Sequence, residues 1–146
     1  MISFFGMMNF VEGRDHSRNK PARLSGFPDR SNNPSDDNEP LPGISPLETR
    51  LGILLQDSTP QKKGGVEWMA RVVDNQDRVA TTLEEIATPG FTTYNFRTYR
   101  RIDQWLLTDG IENFTDEFYR EDIDYRSGLG FFRPEISFYG GAELNY

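Results

Sequence analysis

Apolar residues fall at helical spacing through the middle of the chain. Met69, Val72, Gln76, Val79, Leu83 and Ile86 are separated by steps of 3, 4, 3, 4 and 3. That spacing predicts a helix over Val66–Ala87, ~33 Å long, with a heptad seam interrupted by one polar residue, Gln76. Glu67 lies in its first turn and Pro89 blocks its continuation. Such a seam packs inside its own domain or against an identical or different partner helix. A shorter helix is predicted over Pro46–Gln56. Ser45, Pro46 and Glu48 supply an N-cap, a first-turn proline and a capping-box acid, and Leu47, Leu51, Leu54 and Leu55 share a face.

The chain beyond Pro89-Gly90 is richer in aromatics. Phe91–Phe96 reads as a short strand. Tyr99, Ile102, Trp105 and Leu106 fit a helical face ending at Gly110. A further helix is predicted after Thr115, with Asp116 and Glu117 in its first turn, Phe114 stapled to Tyr119, and an end near Gly128. Glu135–Tyr139 reads as a strand or extended segment framed by glycines.

The front of the chain has no such pattern. Residues 11–44 are rich in Pro, Ser, Asn and Asp, with few apolar side chains to offset the entropy of ordering. Basic residues (Arg14, Arg18, Lys20, Arg23, Arg30) precede acidic ones (Asp36, Asp37, Glu39). Ahead of this stretch lies an apolar tip, Met1–Phe10, suited either to docking on a neighbouring subunit or to folding back onto the chain's own core. It is far shorter than the ~20 residues of a spanning helix and has no signal-peptide flanks. The fold class expected is therefore mainly α. A helical core at 45–128 carries a long extended N-terminal arm at 1–44 and an aromatic, glycine-rich, extended or β tail at 129–146.

Composition narrows the chemistry. The chain has 146 residues, one domain's worth, with 36% hydrophobic and 27% charged residues and a net charge of -7. It has no cysteine and one histidine, which excludes disulfides, thiol catalysis and cysteine- or multi-histidine metal centres. His16, in the polar arm, lacks the fixed partner that a general base needs. The acids Asp116, Glu117, Glu121, Asp122 and Asp124 could offer oxygens to a hard cation. Arg120 and Arg126 are interspersed, however, and a salt-bridged surface accounts for the group. Lys62-Lys63-Gly64-Gly65 lacks the order of a phosphate loop. Arg97, Arg100 and Arg101, interleaved with Tyr94, Phe96, Tyr99 and Trp105, could grip phosphates while rings stack on bases.

The function expected from these features is non-enzymatic, with no cofactor and no metal: a structural subunit of a large assembly. Its partners are other protein subunits, or copies of itself, met through aromatic anchors at Phe4, Phe5, Phe10, Phe131, Phe132, Phe138 and Tyr139. A virus or phage particle suits this style of chain, so the expected location is a virion or the cytoplasm, with no membrane. The alternative is an accessory protein that binds single-stranded nucleic acid through Arg97, Arg100 and Arg101. A hydrolase built on the acidic group is a third reading.

Overall fold

The computed structural model describes residues 1–16, 38–59, 63–80, 85–122 and 131–145. Its elements are all strands: β1 (Ile2–Asn9), β2 (Arg14–Asp15), β3 (Glu39–Pro40), β4 (Glu48–Gln56), β5 (Gly64–Val73), β6 (Phe91–Ile102), β7 (Trp105–Glu112) and β8 (Ser137–Leu144). Six of them form one antiparallel sheet in the order β1-β4-β5-β6-β7-β8. Each strand pairs with the next main strand along the chain, and β1 and β8 are the two edges. The small β2–β3 pair sits in the connection from β1 to β4.

The mainly α expectation, with its helical core at 45–128, is therefore overturned. The segment expected to be the Pro46–Gln56 helix is largely strand β4, and the start of the Val66–Ala87 helix is strand β5. Side chains two apart share a face of a strand, and Val66, Trp68, Ala70 and Val72 alternate with Glu67, Met69, Arg71 and Val73. Met69 and Val72 thus lie on opposite faces, and no seam forms. Gln76 and Val79 lie in the β5–β6 connection, as does Ile86, whereas Leu83 is outside the described residues. The face proposed for Tyr99, Ile102, Trp105 and Leu106 is a hairpin instead. β6 and β7 meet at a two-residue turn, with Asp103 at φ 52°, a conformation hairpin turns of this length require. Local helix signals are a weak prior, and the pairing partners outweigh them. The strand expected at Phe91–Phe96 is present as part of the longer β6. Residues 115–121, where a helix is expected to begin, are not helical, and residues 123–128 of that expected helix lie outside the described residues.

The connections are asymmetric. At one end of the sheet they are short, residues 57–63 and 103–104. At the other end they are long, residues 10–47, 74–90 and 113–136. The buried core is small and lies near the long-connection end. It consists of Ile44, Ala70, Val73, Ala80 and Phe91, with Gln76, Thr88, Thr93 and Asn113 among them. Gln76 and Thr88 exchange backbone hydrogen bonds, and the Gln76 side-chain amide donates to the Ile44 carbonyl.

Candidate functional site

The register divides the sheet into two chemically different faces. Ile2, Leu55, Val66, Thr98, Asp109 and Gly140 stand in one row across all six strands, and alternate residues from them define one face. That face carries Phe4, Met8, Leu51, Ile53, Trp68, Val72, Tyr94, Phe96, Ile102, Trp105, Leu107, Ile111, Phe138 and Leu144. Its only charged residues are Arg100 and Asp109, in adjacent rows in the half nearer the short connections. Many of its large side chains are bare: Phe4 is 77% exposed and Phe138 72%. The opposite face carries Glu48, Arg50, Glu67, Arg71, Arg97, Arg101, Glu112 and Glu143 among its strand residues.

The polar face is fastened by an ion network. Arg71 on β5 makes a two-pronged contact with Glu121, Nη1 to Oε1 at 2.6 Å and Nη2 to Oε2 at 3.0 Å. Its Nη2 also donates to Glu48 Oε2 at 2.8 Å, and Arg50 Nε donates to Glu48 Oε1 at 2.5 Å. Arg50 and Arg71 stand directly opposite each other on β4 and β5. Their like charges are offset by the two carboxylates. Glu121 belongs to the β7–β8 connection, so the network ties that loop down across the polar face.

Further contacts pin the same loop. Tyr119 stacks on Phe91 with ring centroids 4.0 Å apart, and the Arg71 guanidinium lies 5.1 Å from the Phe91 centroid. Burial, with the Glu121 carboxylate nearby, raises the Tyr119 hydroxyl above its ordinary pKa. Asn113, at φ 50°, accepts from the Glu117 amide and donates back to the Glu117 carbonyl, while its own amide donates to Asn95 Oδ1. Asp116, at φ 59°, accepts from the Ile136 amide at 3.1 Å. Cavities of about 230 and 200 Å³ flank Arg71.

Sequence reasoning missed three aromatic–glycine pairs on the polar face. Phe5 lies over Gly52, Tyr99 over Gly65 and Tyr139 over Gly110, each directly across a strand pair. At all three glycines a Cβ would fall inside the ring. The signal was a glycine inside a run of β-prone residues, which marks a close approach.

The aromatic residues proposed as docking anchors separate. Phe4 and Phe138 stand on the apolar face, and Phe5 and Tyr139 cover glycines on the polar one. Phe10 lies under the Arg78 guanidinium, 4.7 Å from the ring centroid. Phe132 stacks on Phe118 at 3.9 Å, and Phe131 is exposed. Of the two places open to the apolar tip, the structure has it on its own chain, with Ile2–Asn9 paired along β4. Residues 17–37, which hold most of the polar arm, lie outside the described residues.

The Arg/aromatic patch is likewise divided. Arg97, Tyr99 and Arg101 are on the polar face, and Tyr94, Phe96, Arg100 and Trp105 on the apolar one. In the acidic group, Glu121 pairs with Arg71, Asp116 with a backbone amide, and Asp124 lies outside the described residues. Among the described residues no three His, Cys, Asp or Glu come together to hold a metal. His16 is exposed.

A six-stranded antiparallel meander, apolar on one side and ionic on the other, is the class of object that these features define. Among solved structures, this fold matches part of the "Copper transporter OprC", with a TM-score of 0.63 at 23% identity. The match covers 75% of this chain and 19% of that one, so this chain spans about a fifth of the length of its structural relative. At that identity the likeness is one of fold. No protein-family model and no curated protein matches the sequence. No helix among the described residues is long and apolar enough to cross a membrane, which has no bearing on crossing by strands.

Proposed function

We propose that this chain forms part of the wall of a membrane-spanning β-barrel, with its apolar face toward lipid and its polar face toward the lumen. The observation that carries the reading is the contrast between the faces. Large exposed side chains gather on one, while nearly all the charge of the strands gathers on the other. In water an exposed apolar sheet face is an aggregation hazard, whereas in a bilayer it is the required outer surface.

Three further features support it. The strands of the sheet run from 8 to 12 residues, near the ~9–11 that a tilted strand needs to span the hydrocarbon. Short turns at one end and long loops at the other are the habit of such barrels. The likeness to a segment of a copper transporter points to transport as the task of the whole barrel. The unpaired edges of β1 and β8 would be closed by neighbouring strands, since a spanning sheet tolerates no open edge.

The unpaired edges also favour a second reading, the structural subunit of a large assembly, in which neighbouring subunits cover Phe4 and Phe138. One experiment separates the two. The purified full chain is mixed with phosphatidylcholine vesicles and digested with protease. A barrel wall yields protected fragments containing the β4–β5 and β6–β7 hairpins, with cleavage in the connections. Digestion at the same rate with and without vesicles refutes the membrane reading.

A further inference from the structure

Arg100 and Asp109 are the two charged residues among the strand positions of the apolar face. Both are exposed. They stand on adjoining strands one row apart, Arg100 opposite Leu107 and Asp109 opposite Thr98. They form no ion pair with each other, and neither side chain has a hydrogen-bond or ion-pair partner among the described residues. The arginines of the polar face differ: Arg50 and Arg71 are held by Glu48 and Glu121. Each lone charge is flanked by a position without a side chain, Gly64 across from Arg100 and Gly140 across from Asp109. Strand glycines of this kind leave room for another backbone to come close.

On the barrel-wall reading, on which this inference rests, the apolar face meets hydrocarbon. Trp105 starts β7 at the rim, and Asp109 is four residues further along the same strand. At ~3.4 Å per residue and a tilt of ~40°, Asp109 lies about 10 Å deeper. The long stem of an arginine can return its head to the polar layer, but the short stem of an aspartate cannot. Ionisable groups at such depth are found paired. We propose that this patch is a two-fold interface between copies of this chain, in which Arg100 of each copy meets Asp109 of the other. A two-fold contact is self-complementary, so a single acid and a single base on the patch supply two ion pairs. With the two-fold axis along the membrane normal, the step between the rows, ~7 Å along the strand, is spanned by the arginine side chain. Lipid covers the rest of the face.

The test measures dimerisation of the full chain by sedimentation equilibrium in density-matched detergent micelles. R100D and D109R each set like charges against one another and should raise the dimer dissociation constant roughly 100-fold, about tenfold for each of the two pairs. R100D/D109R, which exchanges the charges within one chain, should dimerise like the wild type. R100D and D109R mixed in equal amounts should also regain the dimer, because the two acids of one copy then face the two arginines of the other. An Arg100–Asp109 pair closed within a single wall cannot be restored by mixing, so no recovery on mixing overturns the interface. Dimers of equal strength in every variant would mean pairing of the free edges of β1 and β8, and monomers throughout would mean that lipid alone covers the patch; either result overturns it as well. Protease protection of the wild-type chain in vesicles tells the two inferences apart. A protected chain that stays monomeric loses the interface and keeps the barrel wall, whereas an unprotected chain loses the wall first.

Discussion

Both tryptophans, Trp68 and Trp105, lie on the apolar face, and the register sets how far apart in depth a bilayer should place them. Trp68 is opposite Phe96 and Trp105 is opposite Ile102, so their rows are six residues apart along β6. At ~3.4 Å per residue this is about 20 Å along the strand. A strand tilt of ~40° reduces it to about 16 Å of depth. The two residues also sit two strands apart, which at ~4.8 Å per strand and the same tilt adds or subtracts about 6 Å. The depth difference is therefore roughly 10–22 Å in an apolar band about 25 Å tall. On the barrel-wall reading, Trp105 belongs at an interface and Trp68 inside the hydrocarbon. The perturbation is a pair of single-tryptophan chains, W68F and W105F, in vesicles with bromine at defined depths in the acyl chains. W105F, which keeps Trp68, should be quenched best by deep bromines. W68F, which keeps Trp105, should be quenched best by bromines near the headgroups. If aqueous iodide quenches both chains as fast with lipid as without, the apolar face does not meet lipid and the depth argument is wrong.

Two other outcomes follow from the polar face. Gly110→Ala pushes a methyl into the Tyr139 ring and should cost about 1–3 kcal/mol in urea unfolding from detergent micelles. Gly141→Ala, where a Cβ meets nothing within 4 Å, is the matched control, and an equal loss there would remove the claim that the ring seals the glycine. Tyr119 titrates above its ordinary value of 10.0, because burial against Phe91 disfavours the phenolate. Its folded-state pKa is the raised one, so its contribution to stability is fully present below pH 10 and is lost as pH rises through the shifted value. Absorbance of tyrosinate should show a late alkaline phase that Tyr119→Phe removes; a late phase that survives the substitution would contradict the packing.

Some of this fold was legible and some was hidden by coincidence of period. The β-prone run from Phe91 announced the first half of β6, and the segment read at Glu135–Tyr139 overlaps only the start of β8 (Ser137–Leu144). The stretch from Val66 to Ile86 offered two patterns at once. Val66, Trp68, Ala70 and Val72 alternate, while Met69, Val72, Gln76 and Val79 step by 3 and 4. A short stretch can satisfy both periods, and only the partners decide. β4 misled in a similar way, because Leu54 on the polar face filled out a helical stripe with Leu51 and Leu55. Its Gly52, a poor helix residue, was the contrary sign, and its close approach to Phe5 explains why it is there. The network of Glu48, Arg50, Arg71 and Glu121 was not legible, since it joins residues distant in sequence through a register that only the folded sheet defines. In sequence the acidic group reads as salt-bridged with Arg120 and Arg126, whereas for Glu121 the partner is Arg71, fifty residues earlier.

Composition weighs differently once the two faces are known. A hydrophobic content of 36% is low for a chain that must bury a core over its whole length. A barrel wall needs no such core. Its apolar residues are spent on every second strand position, facing outward, and the positions between them are polar by requirement. Its long loops are polar because they face water. The mean of such a chain is hydrophilic, while the alternate positions of its strands, taken alone, are as apolar as a buried sheet. The exposed Phe4 and Phe138, at opposite edges of one face, make the same point from the structure. They stand on the two edge strands, β1 and β8, with four strands between them. A surface that extends across every strand calls for a continuous apolar phase more readily than for one docked partner, and a bilayer supplies such a phase along the whole face.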